Sequence, residues 1–254
     1  MYQTLECRPD SYREWYQKGN QLRAAGYYHE ALTSYERALS YQPNDYWSWY
    51  RKGVVLEALG HYPEAIDSFT HASAIEPNNY WSWYEQGCIH STEFGQYEEA
   101  IACFNQALKL RPQDYWATYR LGESYRHLEQ YQQAVDYCNQ ALTLRPDDFW
   151  AYYRRGEALQ YSGQAEEALQ SYQQACDLEP EDHWTWYQQA CCYGALNRRN
   201  WAIICLEKAI DLYPTKYLRL AVNEAIWLDF RCQPGFQLLI TNKSHRHGVV
   251  QPIQ

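Results

Sequence analysis

Five tryptophans are each followed three residues later by a tyrosine: Trp47 with Tyr50, Trp81 with Tyr84, Trp116 with Tyr119, Trp150 with Tyr153 and Trp184 with Tyr187. Tyr16 extends the tyrosine series one step towards the N-terminus, with Arg13 in the tryptophan's place. Side chains three apart on a helix share a face, so each pair is a candidate aromatic surface. A Trp or Tyr offers an apolar body of about 150–250 Å² with a polar edge. Such surfaces suit proline-rich segments, aliphatic anchors, cations and the faces of sugars. Beyond the tyrosines the residue types diverge and carry mixed charge, with Glu123, Arg126 and Glu157 close together in sequence. That mixture suits a hydrogen-bonded peptide segment bearing one or two charges.

Covalent chemistry finds less support. The nine cysteines include no C-x-x-C pair, and no Cys or His grouping has zinc-ligand spacing. Most of the cysteines fall where a helix needs a small apolar residue, and there Cys behaves as a compact hydrophobe. The adjacent Cys191 and Cys192 are the one pair that invites a redox reading. The histidines are scattered, and no nucleophile elbow, phosphate loop, metal triad or kinase signature is present. The chain is therefore expected to be non-catalytic and to need no cofactor or metal.

Charge narrows the partners. The chain has 22 Lys and Arg against 31 Asp and Glu, for a formal net charge of −9. Nucleic-acid binding depends on basic residues neutralising phosphates, so this balance has the wrong sign for it. The first residues do not form a secretory signal, and no apolar run is long enough to cross a bilayer. A soluble, cytoplasmic protein is the expectation.

Prolines reveal the elements that must position these residues. Pro9, Pro43, Pro77, Pro112, Pro146, Pro180 and Pro214 are spaced 34, 34, 35, 34, 34 and 34 residues apart. A fixed period of this length marks a repeat array, here 12–45, 46–79, 80–114, 115–148, 149–182 and 183–216. Each repeat reads as two helices. Ser11, Asp45, Asn79, Asp114, Asp148 and Asp182 are placed to cap the first. Gly26, Gly60, Gly95 and Gly163 are placed to end it, as is Asn197. Repeat four has Glu129 there, so its turn is expected to differ. Repeat three carries one extra residue near Ser91–Phe94. Small residues mark the seam between the two helices: Gly19, Gly53, Gly87, Gly122, Gly156 and Ala190 in the first, and alanines such as Ala65 and Ala72 in the second.

This pattern, W-x2-L-G-x2-Y…A-x3-F…A…P, resembles the tetratricopeptide repeat (TPR) over residues 12–216. The usual leucine before the glycine is replaced by Lys18, Lys52, Gln86, Arg155 and Gln189, with Leu121 alone retained. The Trp-Tyr-x-[Arg/Lys]-Gly wording looks like arrays common in cyanobacteria and other environmental bacteria. The resemblance implies an all-α, right-handed superhelical α-solenoid. In it the first helices line a concave groove that takes an extended peptide, with the second and fifth residues of each repeat facing the groove. On that basis the site comprises Tyr16, Trp47, Tyr50, Trp81, Tyr84, Trp116, Tyr119, Glu123, Arg126, Trp150, Tyr153, Glu157, Trp184 and Tyr187.

At the ends, residues 1–11 read as an N-terminal cap, 217–231 as a capping helix that covers the last repeat, and 232–254 as an irregular tail. The function expected is a protein–protein interaction scaffold or assembly factor holding a partner's peptide segment. A carbohydrate- or small-molecule-binding array, and a structural unit that self-associates through the terminal helix, are the alternatives. Whether the Trp/Tyr ladder binds a guest or packs one repeat on the next stays open at this level.

Overall fold

The computed structural model describes residues 11–247, and most of the expected N-terminal cap lies outside them. The described residues are helical, without strands. The chain divides between Ser124 and Tyr125 into two compact units. The first unit holds α1 (Tyr12–Ala24), α2 (Tyr28–Tyr41), α3 (Tyr46–Ala58), α4 (Tyr62–Ile75), α5 (Tyr80–Thr92), α6 (Tyr97–Leu110) and most of α7 (Tyr115–His127). The second holds α8 (Tyr131–Leu144), α9 (Phe149–Tyr161), α10 (Ala165–Leu178), α11 (His183–Ala195), α12 (Arg199–Leu212) and α13 (Pro214–Asn223). A 3-10 segment (Ala225–Phe230) and α14 (Pro234–His247) complete it. Within each unit, consecutive helices pack antiparallel as nested hairpins.

Local chemistry sets where the helices begin and end. Side chains of Ser11, Asp45, Asn79, Asp114, Asp148 and Asp182 each accept a backbone N–H from the first turn of the following helix. The turn inside each hairpin needs a residue with positive φ, which glycine adopts without steric cost; Gly60 has φ 77°. Asn197 takes the same conformation at φ 55°. Repeat four departs from expectation: Glu129 adopts φ 59°, and Gln130 N–H donates to Tyr125 O at 2.9 Å. His61 N–H makes the equivalent bond to Leu56 O at 2.8 Å. The turn is thus the ordinary one, because the hairpin packing over-determines a strained glutamate. The extra residue of repeat three is absorbed in its turn, where Gln96 N–H reaches back six residues to His90 O at 2.8 Å.

The seam between helices is a fit of glycine against an aromatic ring. A Cβ added to Gly19, Gly53, Gly87 or Gly156 would come within 2.6–2.7 Å of the ring of Tyr35, Phe69, Phe104 or Tyr172. Repeat six has the smaller Leu206 in the ring's place and Ala190 in the glycine's, and both are fully buried.

The missing leucines have a structural account. In repeats two, three, five and six their polar replacements tie the first helix to the second helix of the preceding repeat, and Arg155 and Gln189 also reach the second helix of their own. Lys52 pairs with Glu36 at 3.2 Å. Gln86 bonds Thr70 and Ser73. Arg155 donates to Asn139 and to Ser171 at 3.2 and 2.9 Å. Gln189 sits between Cys176 and Cys205.

The C-terminal region differs from the expected capping helix and irregular tail. Helix α13 starts at Pro214, in the first turn where proline's missing N–H costs nothing. It ends at Asn223, and the 3-10 segment then folds back on α11. Residues 234–247 are helical, and Phe236, Leu239, Ile240 and Lys243 bury one face. Burial of that stripe outweighs the poor helix propensities of Gly235, Asn242 and Ser244. Lys243 anchors the helix to α12 through Glu207 at 3.0 Å and through Asp211.

Candidate functional site

The members of each Trp–Tyr pair have different environments. Trp47, Trp81, Trp116, Trp150 and Trp184, in the first turns of α3, α5, α7, α9 and α11, are 39–54% exposed. Tyr50, Tyr119, Tyr153 and Tyr187 are buried at 5–8% exposure, while Tyr16 and Tyr84 are half-buried. In repeats two to five a residue that the sequence reading passed over, the first of the repeat, stacks on this tyrosine. Tyr46 stacks on Tyr50 with centroids 6.0 Å apart, Tyr80 on Tyr84 at 5.5 Å, and Phe149 on Tyr153 at 6.1 Å. The opposite side of Tyr50 meets Phe69 at 5.6 Å, and that of Tyr153 meets Tyr172 at 5.8 Å. The tyrosines are thus sandwiched into the core, leaving the indoles as the open surface. Trp47, Trp81, Trp116 and Trp150 stand edge-on to the first ring of their own repeat, as Trp47 does to Tyr46 at 5.0 Å, whereas Trp184 is tilted on His183 and stands edge-on to Tyr217 at 6.3 Å.

Buried tyrosine hydroxyls link successive repeats. Tyr50 donates to Glu85 Oε1 at 3.1 Å, and Tyr80 to Asp114 Oδ1 at 2.9 Å. The Tyr46 hydroxyl accepts from Ser82 at 3.0 Å. Burial raises these three phenols, and the carboxylate partners raise Tyr50 and Tyr80 further, well above the ordinary range.

Charged side chains beside the ladder come mainly from sixth and ninth residues of the repeats. In the first unit, Arg120 pairs with Glu123 at 3.1 Å, and the Tyr119 hydroxyl donates to the same carboxylate at 3.4 Å. In the second, Glu157 holds Arg154 at 2.8 Å and Arg126 at 3.5 Å. Glu85 occupies the sixth position of repeat three, and its carboxyl is pushed up to about 7 by burial and by the nearby Glu57. The sixth residues Arg51, Glu85, Arg120 and Arg154 were legible as a 34-residue series one step beyond the tyrosines, and the sequence reading missed them.

In repeat six the terminal segments cover the fifth residue, Tyr187. Trp227, fully buried, donates its indole N–H to the Tyr187 hydroxyl at 3.2 Å, and Tyr187 donates to Glu224. Ile226 and Phe230 pack against Gly194, each 3.7 Å from where a Cβ on it would lie. Tyr187 is therefore part of the terminal core and offers no free surface, while Trp184 stays outside it.

The adjacent cysteines belong to the core. Cys191 and Cys192 are buried, and desolvation pushes both thiols up to about 12. A thiol so raised stays protonated and unreactive near neutrality. Among the described residues no His, Cys, Asp or Glu cluster could hold a metal, and no helix is long and apolar enough to cross a membrane.

Tetratricopeptide-repeat family models match residues 16–79 and 93–149, 68–102, 149–182 and 185–216. A search of the curated proteins finds no match. Among solved structures the chain is similar to YrrB, described as a TPR protein with an unusual peptide-binding site, at 23% identity and a TM-score of 0.65, covering 71% of this chain and 93% of that one. It is similar to MamA of Desulfovibrio magneticus RS-1, at 22% identity and a TM-score of 0.64, covering 68% and 98%. It is also similar to the C-terminal part of a TPR protein from Cytophaga hutchinsonii, at 15% identity and a TM-score of 0.75, covering 93% and 96%. At these identities the likeness carries the fold alone. The repeat period, the capped helical hairpins and the matched family models together place this all-α chain in the tetratricopeptide-repeat family.

Proposed function

We propose that the chain is a non-catalytic scaffold that holds a peptide segment of a partner protein against the first helices of its repeats. One observation carries this reading: five indoles at the same repeat position stay 39–54% exposed, while Tyr50, Tyr119, Tyr153 and Tyr187 beside them are buried and Tyr84 is half-buried. Indoles that served only to pack the array would be covered as the tyrosines are, whereas exposed aromatics in register are what a recognition surface supplies. The Arg120–Glu123 and Arg154–Glu157 pairs offer hydrogen bonds to a peptide backbone. Several indoles already lie against cationic side chains of the chain itself, Arg111 over Trp81 at 4.9 Å, Arg154 over Trp150 at 5.8 Å and Lys216 over Trp184 at 2.9 Å. That contact favours a ligand bearing side chains over a sugar. Family membership and the fold shared with YrrB, which has a peptide-binding site, are in keeping with this role.

A displayed random-peptide library is the test. The wild-type chain should enrich binders, and a variant with Trp47, Trp81, Trp116, Trp150 and Trp184 all changed to Ala should lose them while keeping its helical circular dichroism. Equal enrichment by the two proteins overturns the reading. Because the tyrosines belong to the core, replacing them cannot separate binding from folding, and the indoles are the residues to change.

A further inference from the structure

In repeats three and six the residue before the period-marking proline is set beside the aromatic start of the repeat it closes. In repeat three this is Arg111, whose guanidinium lies over Tyr80 at 4.4 Å and over Trp81 at 4.9 Å. In repeat six it is Tyr213, stacked on His183 at 5.3 Å. In repeat two the residue is Glu76, before Pro77, and the aromatic start is Tyr46 with Trp47. Glu76 is near enough to Tyr46 for its carboxylate to add to the rise that burial gives the phenol. Among the described residues no Lys or Arg is placed over Trp47, which touches Tyr46 and Tyr50 edge-on and is 40% exposed. Trp47 and Glu76 border an open recess of about 590 Å³ whose other walls include Trp81, Asn78 and Arg111.

Repeat two thus has the indole that takes a cation in repeat three, but with a carboxylate where the cation's own residue stands. We propose that this recess takes the cationic side chain of an arginine or lysine from a basic segment of a partner protein, stacked on Trp47 and paired with Glu76. The proposal rests on the peptide-binding reading above and names the ligand's chemistry. An indole face and an opposed carboxylate are the two groups that recognise a guanidinium or ammonium. The formal net charge of −9 draws a basic segment to this chain and repels an acidic one. Arg111, held on the rings of the far wall, confines the incoming cation to the Trp47 side and leaves a donor for a carbonyl or carboxylate of the same segment.

The experiment follows the Trp47 indole N–H signal by nitrogen–proton NMR, assigned with a Trp47→Phe variant, during titration with N-acetyl-arginine amide. N-acetyl-citrulline amide, of similar shape and without charge, is the control. The Trp47 signal should shift saturably with the arginine compound and not with citrulline, and Glu76→Gln should weaken the interaction by about five- to tenfold. Glu76→Arg should abolish it by placing the chain's own guanidinium on the indole. Glu76 is exposed, so circular dichroism should be unchanged in both variants. An unmoved Trp47 signal, an equal response to citrulline, or indifference to Glu76→Gln overturns the proposal. Displayed peptides that bind through the indoles while Trp47 ignores arginine would leave the peptide scaffold standing and remove this subsite. A saturable, Glu76-dependent shift with no displayed peptide retained would do the reverse.

Discussion

Asp114 bonds two repeats with a single carboxylate oxygen: its Oδ1 accepts the Tyr80 hydroxyl at 2.9 Å and the Ala117 backbone N–H at 2.8 Å. The first bond spans a full repeat and the second caps α7. Helix initiation and repeat stacking are therefore coupled at this residue. Asp114→Ala removes the cap and leaves the Tyr80 hydroxyl without its acceptor, a combined loss of about 2–3 kcal/mol. Urea unfolding should report it, and Asp114→Asn, which keeps an acceptor oxygen, should recover much of the loss. An alanine variant as stable as the wild type would show that the bond is not maintained in solution.

Gly53 is required by Phe69, not by its own backbone. An added Cβ would come within 2.7 Å of the ring, and the ring is fully buried with nowhere to move. Gly53→Ala should destabilise the chain by about 1–3 kcal/mol despite alanine's better helix propensity. Adding Phe69→Leu should restore part of the loss, since Ala190 and Leu206 are the native pair in repeat six. Full additivity of the two losses in denaturant melts would refute the steric account.

Glu85 gives the stability of the chain a defined pH dependence. Its carboxyl is pushed from about 4.5 to about 7 by burial first and Glu57 second, against the Tyr50 hydrogen bond. Between those values the folded chain holds a proton that the unfolded chain releases. This group's contribution is therefore complete below pH 4.5 and declines as pH rises through 7, by up to about 3 kcal/mol. Glu57, raised in the same direction, adds to the decline. Glu85→Gln should flatten the stability profile between pH 5 and 7.5 in thermal melts, and a profile identical to wild type would contradict the assignment.

The thiols should divide by burial. In a Cys7→Ser background, Cys232, the exposed cysteine among the described residues, should react rapidly with a disulfide reagent at pH 7.5. Cys191, Cys192 and Cys205, with thiols raised to about 12, should react only on unfolding. A Cys232→Ser change should remove the fast phase. Rapid labelling of Cys191 or Cys192 in the native chain would reopen a redox role for the pair.

The sequence alone determined the repeat. Caps, turn residues and the small-residue seams act over distances shorter than one hairpin, so Asp45, Gly60 and Gly53 could be read in place from spacing. Helix α14 was also open to reading, because Phe236, Leu239, Ile240 and Lys243 follow helical spacing, but the weak propensities around them hid it. The turn at Glu129 and the fate of the Trp–Tyr pairs were decided only by the tertiary structure. A strained φ is tolerated because two packed helices enforce it, and no local rule contains that force. Trp47 and Tyr50 look equivalent in sequence, yet one is open and the other buried. Burial depends on which rings close over a residue from its own and neighbouring elements, here Tyr46 on one side and Phe69 on the other. Likewise Glu76 is an ordinary acid before a proline until folding sets it on the border of the same recess as Trp47, while one repeat on Arg111 lies over Trp81.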